Sequence, residues 1–200
     1  LIKIGVTGGI GSGKSIVCKL FSLLGVPIYA SDDRARDLME HDETLIAALK
    51  TEFGEEVYTE HKLNRTYLAQ QVFNDASKLS KLNALVHPCV AKDFDQWVLR
   101  NAHSPFVIKE AAVMLEANGN KQLDKVITVA APEALRIQRV LKRDPHRTEK
   151  EVKAIMEKQF PENKNMALAD FIITNDDKHL VIPQVMQLYQ TLHQLANTHL

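Results

Sequence analysis

The residues best suited to chemistry come early, in Thr7-Gly8-Gly9-Ile10-Gly11-Ser12-Gly13-Lys14-Ser15, which completes the pattern G-x-x-x-x-G-K-[ST] and holds four of the chain's eight glycines. Glycine lets successive backbone N–H groups turn inward without a Cβ in the way, so the segment can form a concave anion nest at the positive end of a helix. Phosphate oxygens fit such a nest. Gly8, Gly9, Gly11, Ser12, Gly13, Lys14, Ser15 and Ile16 are therefore expected to bind a nucleoside triphosphate. Lys14 is expected to reach the β- and γ-phosphates, and Ser15 to hold Mg²⁺ between them. A glycine-rich turn without a ligand accounts for single glycines, but not for a lysine and a hydroxyl at fixed offsets. By itself the pattern leaves ATPases, GTPases and kinases open.

Such a loop needs a strand before it and a helix after it. Apolar, β-branched runs at residues 2–6, 26–30, 106–111, 125–130 and 171–174 predict five strands, alternating with segments of helical period. Nearly continuous apolar character suits strands covered on both faces of a parallel sheet. The stretch between the second and third strands is longer than one crossover needs, and it repeats helical patterns at residues 44–53, 67–73, 79–86 and 90–99. A helical insertion at about 41–103 follows, beside a core of about 1–40 and 104–200. The polar stretch at about 142–153 reads as a lid, and residues 181–195 as a packing helix.

Directly after the second strand stands Ser31-Asp32-Asp33-Arg34-Ala35-Arg36, at the carboxyl end where open α/β sheets bind ligands. Asp32 either orients an acceptor hydroxyl and takes its proton, or caps a helix beginning near Asp33. Arg36 is placed to clamp an acceptor phosphate. Farther on, Pro132-Glu133 opens a helix that sets Arg136, Arg139 and Arg143 on one face, with Leu135 and Leu141 turned to the core. That face either closes over phosphates or is simply solvated.

With these residues in view, the chain resembles the dephospho-coenzyme A kinases over nearly its whole length. The likeness rests on residues 7–15, the Asp32 turn with Ala35-Arg36, Asn83-Ala84-Leu85-Val86-His87-Pro88, Arg139, Arg143-Asp144, Gln159 and Ala169-Asp170. It implies a five-stranded parallel α/β sheet flanked by helices, of the P-loop kinase type, and ATP-dependent phosphorylation of the ribose 3′-hydroxyl of dephospho-coenzyme A with Mg²⁺. By the same resemblance Asp32 is the catalytic base, Arg36 and His87 contact the acceptor, and Lys14, Arg139 and Arg143 act on the phosphates. Taken alone, His87 equally fits a structural histidine before a helix-starting proline. The chain also departs from the family. Ala30-Ser31-Asp32 keeps only the second acid of a usual Asp-x-Asp, with Asp33 a substitute. Ala112-Val113-Met114-Leu115-Glu116 replaces a Pro-Leu-Leu-x-Glu run. Asn175-Asp176-Asp177 replaces Asn-x-Gly. Glu110, an acid within an apolar strand, is expected to face the phosphate site and orient a magnesium-bound water.

Composition narrows the field further. The 25 basic residues match the 25 acidic ones, which argues against nucleic acid as a partner. No apolar run spans a bilayer, and the first residues are too short for a signal sequence, so the chain reads as cytoplasmic. Cys18 and Cys89 read as reduced packing residues. A nucleoside monophosphate kinase is a near alternative that the His87-Pro88 region argues against. A GTPase switch lacks support, because no D-x-x-G follows the loop and Asn163-Lys164-Asn165-Met166 fails the N-K-x-D pattern.

Overall fold

All five apolar runs become strands of one sheet in the computed structural model, which describes residues 1–73, 75–115 and 122–198. In chain order the elements are β1 (Ile2–Thr7), α1 (Lys14–Leu23), β2 (Ile28–Ala30), α2 (Ser31–His41), α3 (Glu43–Phe53), a 3₁₀ turn (Glu55–Val57), β3 (Tyr58–Thr59) and β4 (Lys62–Leu63). There follow α4 (Arg65–Phe73), α5 (Ala76–Arg100), β5 (Phe106–Glu110), β6 (Lys125–Ala130), α6 (Glu133–Arg143), α7 (Glu149–Glu157), α8 (Glu162–Leu168), β7 (Phe171–Thr174) and α9 (Val181–Thr198). The large sheet has the order β2-β5-β1-β6-β7 with every neighbouring pair parallel. Val6 is in register with Glu110, so the segments leaving β1 and β5 emerge side by side at the carboxyl edge.

The chain forms two compact units, Leu1–Ala30 with Asn101–Leu200, and Ser31–Arg100. In the first, Ile4, Val6, Ile108, Ile127 and Ile173 of the sheet pack with Val17 and Phe21 of α1 and Val185 and Leu192 of α9. Phe106 is the aromatic centre of this layer. Its ring meets Phe21 edge-on at 6.5 Å, Tyr189 at 6.0 Å and His193 at 5.3 Å. Cys18 is buried and Cys89 partly buried, and both are free thiols. Among the described residues no helix is long and apolar enough to cross a membrane.

The second unit departs from the sequence expectation most clearly at Pro88 and at a short hairpin. Patterns at 79–86 and 90–99 suggested two helices separated by a helix-starting proline, whereas α5 runs unbroken with Pro88 inside it. Proline removes the N–H that would bond the Ala84 carbonyl, normally a serious cost within a helix. Here Val86, Val90 and Phe94 recur every four residues and bury one stripe on both sides of Pro88, so packing overrides propensity. The β3–β4 hairpin was not anticipated at all. Its two turn residues, Glu60 and His61, both have positive φ (50° and 64°), as a tight primed turn requires. Neither is the Asn or Gly that marks such a turn in sequence.

Phe106 is the residue whose loss should cost the first unit most. Phe106→Ala is expected to destabilise the protein by about 3–5 kcal/mol. Urea unfolding followed by circular dichroism should show the midpoint moving down; a loss near that of a surface substitution would contradict this account of the core.

Candidate active site

The glycine loop takes its shape from its own backbone and from side chains far away in sequence. Gly13, at φ 98°, is the N-cap of α1 and contributes no side chain, and no acid stands in the first helical turn. The positive end of the helix dipole thus faces the loop with no carboxylate of its own first turn beside it, a setting that favours an external anion. Lys14 Nζ donates to the Gly8 carbonyl at 2.7 Å and more weakly to Gly9 at 3.4 Å, which keeps its charge over the loop. The Ser12 hydroxyl is buried and finds no hydrogen-bond partner.

Two amide side chains hold the loop from outside. Ile10 N–H donates to Gln159 Oε1 at 2.8 Å, and Asn175 Nδ2 donates to the Ser12 carbonyl at 2.8 Å. Asn175 follows β7, and its own N–H bonds the Ala130 carbonyl at the end of β6. Gln159 follows α7, whose start is fixed by a capping box in which Thr148 and Glu151 satisfy each other's backbone N–H groups.

Ser15 and Glu110, both expected at the phosphates, stand together: Ser15 Oγ donates to Glu110 Oε1 at 3.1 Å. Glu110 is the last residue of β5 and only half-buried, at the edge of the sheet instead of within it. The Cys18 thiol lies beneath it and is pushed far above its usual range, first by burial and then by the Glu110 charge, to which it hydrogen-bonds. Cys18 therefore stays a neutral donor to the carboxylate. Ala30, where the usual first acid is missing, is in register with Glu110. Asp33, considered above as its substitute, is instead exposed and ion-paired with Arg36 at 2.7 Å.

Helix α6 corrects the expected orientation of its arginine face. Arg136 and Val140 are its buried residues, while Leu135 and Leu141 are only partly covered. Arg139 donates to the Asn175 carbonyl at 3.0 Å, to Asn175 Oδ1 at 3.2 Å and to Asp177 Oδ1 at 2.5 Å. Asp177 adopts φ 62°, a left-handed conformation that glycine takes freely, where the family pattern has glycine. Arg143 is exposed and paired with Asp144 through Nε at 3.1 Å and Nη2 at 2.9 Å. This pairing is the leading cause that holds Asp144 below the usual carboxylate range. The segment 142–153 comprises the end of α6, a turn and the start of α7.

Asp32, Arg36 and His87 belong to the second unit. Helix α2 begins at Ser31, two residues earlier than expected, so Asp32 lies exposed in its first turn. Arg34, adjacent in sequence, is tied into the unit by bonds to both oxygens of Asp93, at 3.0 and 2.8 Å. His87 is exposed on α5. Glu116 lies outside the described residues.

A backbone nest at the foot of α1, a lysine and a hydroxyl beside it, and arginines on the helix following β6 define a P-loop kinase. Solved structures share the fold: one from Thermus thermophilus is 31% identical, with 96% of this chain and 95% of that one covered and a TM-score of 0.82. The dephospho-CoA kinase of Campylobacter jejuni, 23% identical, covers 96% and 97% of the two chains with a TM-score of 0.71. In sequence, a dephospho-CoA kinase of Bacteroides fragilis is 36% identical over 98% of this chain and 97% of its own. The family profile described as dephospho-CoA kinase matches residues 2–180, and the chain belongs to that family. Membership implies ATP as phosphoryl donor.

Gln159 was visible in sequence only as part of a resemblance, and Asn175 only as the start of a departure from it. Their work depends on tertiary approach, which no local pattern encodes.

The loop that contains Asn175 also carries a pH-dependent contact. Asp176 accepts from the backbone of His179 (2.9 Å) and Lys178 (3.0 Å) and from His179 Nδ1, and the His179 backbone bond leads in holding it far below the usual range. A carboxylate depressed in the folded state stabilises fully above its unfolded pKa of about 3.9, and that stability is lost as pH falls. Asp176→Asn should therefore melt below the parent at pH 7 and 5, with the gap closing as pH drops below about 4. A gap that stays constant from pH 7 to 3 would contradict the ionic origin.

Proposed function

We propose that this protein transfers the γ-phosphoryl group of ATP, with Mg²⁺, to the ribose 3′-hydroxyl of dephospho-coenzyme A, giving coenzyme A and ADP in the cytoplasm as the last step of coenzyme A synthesis. The observation that carries this reading is a family match running from residue 2 to residue 180, through glycine loop and second unit alike. The chemistry is read from the residues. Lys14 and the N–H groups at the start of α1 bind the phosphates. Ser15 and Glu110 offer oxygen donors 3.1 Å apart, a set suited to a hard divalent cation. When bound, Mg²⁺ neutralises charge between the β- and γ-phosphates.

On the acceptor side the proposal assigns Asp32 as base. Its carboxylate is exposed in the first turn of α2, where it can accept from a hydroxyl. As the new bond from the 3′-oxygen to phosphorus forms and the bond to ADP breaks, the hydroxyl proton passes to Asp32. Arg36, released from Asp33, binds the acceptor together with His87, which belongs to an insertion of about 41–103. Arg139 and Arg143 act on the phosphates, with residues 142–153 as a lid that excludes water from the transfer.

The test is to incubate the protein with ATP, Mg²⁺ and dephospho-coenzyme A and to quantify coenzyme A by mass spectrometry. Product is expected from the wild type, with Asp32→Asn lowering turnover by about tenfold to a hundredfold while leaving ATP binding intact. No product from the wild type would end the acceptor assignment, and an equally active Asp32→Asn would end the base role.

A further inference from the structure

Arg136 presents a physical problem that the other arginines of α6 do not. It is 8% exposed, its Nε has no hydrogen-bond partner, and among the described residues no carboxylate pairs with it. Arg139 and Arg143, on the same helix, are matched by Asp177 and Asp144. A buried lysine can relieve such a state by losing its proton, whereas a guanidinium stays charged at any ordinary pH. A buried cation without an anion is costly, and retaining one implies that a partner arrives from elsewhere.

The location says which partner. A methyl group added at Gly9 would collide with Arg136 Nη1, so the guanidinium lies directly against the glycine loop. A Cβ at Gly11 would stand 2.5 Å from the Arg136 carbonyl and 3.0 Å from its Cα, so the helix backbone also touches the loop. The first turn of α6 is fixed there by Arg136 N–H bonding the Pro132 carbonyl at 3.0 Å. The Ser12 hydroxyl in the same loop is likewise buried without a partner. The loop thus brings together an uncapped helix start, an unmatched guanidinium and an unmatched hydroxyl. All of them seek one thing, a compact anion with several oxygens.

We propose that Arg136 is a direct ligand of the nucleotide's phosphate chain, an inference that rests on the kinase reading and adds a residue to it. Arg139 is held by the 175–177 segment and Arg143 by Asp144, so Arg136 is the arginine of α6 that needs no internal ion pair broken before it takes a phosphate.

A phosphate ligand and a loop strut differ in what their removal does to the empty protein. Arg136→Gln removes the uncompensated charge, so the nucleotide-free protein should melt no lower than wild type, and on this account about 2 °C or more higher. The same variant should bind Mg-ATP at least about tenfold more weakly by calorimetry, as expected for a lost charge-assisted hydrogen bond. Arg136→Lys, which keeps a cation but not the planar fork, should fall between the two in affinity. Unchanged Mg-ATP affinity in both variants would overturn the proposal, as would a large drop in the melting point of Arg136→Gln with ATP affinity retained. Should Arg136→Gln fail to fold, Arg136→Lys decides: weaker binding at unchanged melting point supports the ligand role, and wild-type binding refutes it. The kinase reading fails in a different way. If wild type binds Mg-ATP and forms no coenzyme A, the acceptor assignment is lost while the role of Arg136 stands; if wild type does not bind Mg-ATP, both are lost.

Discussion

Residues 8–13 have to aim several backbone N–H groups at a single point, and a chain segment of this kind has no secondary structure to hold it there. The hydrogen bonds from Ile10 N–H to Gln159 Oε1 and from Asn175 Nδ2 to the Ser12 carbonyl supply that constraint. Each fastens the loop to a part of the chain about 150 residues away, at separations of 149 and 163 positions. With the loop pinned, donors aimed at the phosphates need little reorganisation when the nucleotide arrives, and preorganised donors of this kind are a large part of phosphoryl-transfer catalysis. The parallel sheet serves the same end. It sets β1 beside β5 and β6 so that the loop, Glu110 and the start of α6 leave one edge together.

Charge around the loop is distributed with the same economy. Asn175 receives two bonds from Arg139 while holding Ser12, so the arginine on α6 and the glycine loop share an anchor. Asp177 completes that anchor from a left-handed backbone, a conformation costing an L-residue roughly 1–2 kcal/mol, partly offset by its ion pair with Arg139. On the other side, Glu110 is flanked by Ser15 and Cys18, one donor exposed and one buried. The acid at the strand end is therefore neither stranded in the core nor open to solvent on all sides.

What the sequence made legible was what physics encodes locally. The glycine loop announced itself because backbone conformation, lysine and hydroxyl must occupy fixed offsets, and the five strands because a parallel sheet demands apolar runs. The Ser15–Glu110 contact was within reach because an acid among apolar residues asks for a partner. Three features were not legible. The hairpin at residues 58–63 turns on Glu60 and His61, which carry no turn signature. Pro88 sits inside α5 because buried residues on both sides outweigh its local cost. The inward face of α6 holds Arg136 beside Val140, while periodicity assigned the core to Leu135 and Leu141. At Pro88 and on α6, burial overruled the local preference on which sequence reading depends.

The central claim is that distant side chains hold the glycine loop ready for phosphate, and Asn175→Ala tests it most directly. Mg-ATP binding by calorimetry should weaken by about tenfold or more, with far-ultraviolet circular dichroism unchanged, because a buried carbonyl loses its donor and the loop loses one of its two fastenings. Binding at wild-type affinity by a fully folded variant would mean that the loop keeps its shape without them, and the account would be wrong.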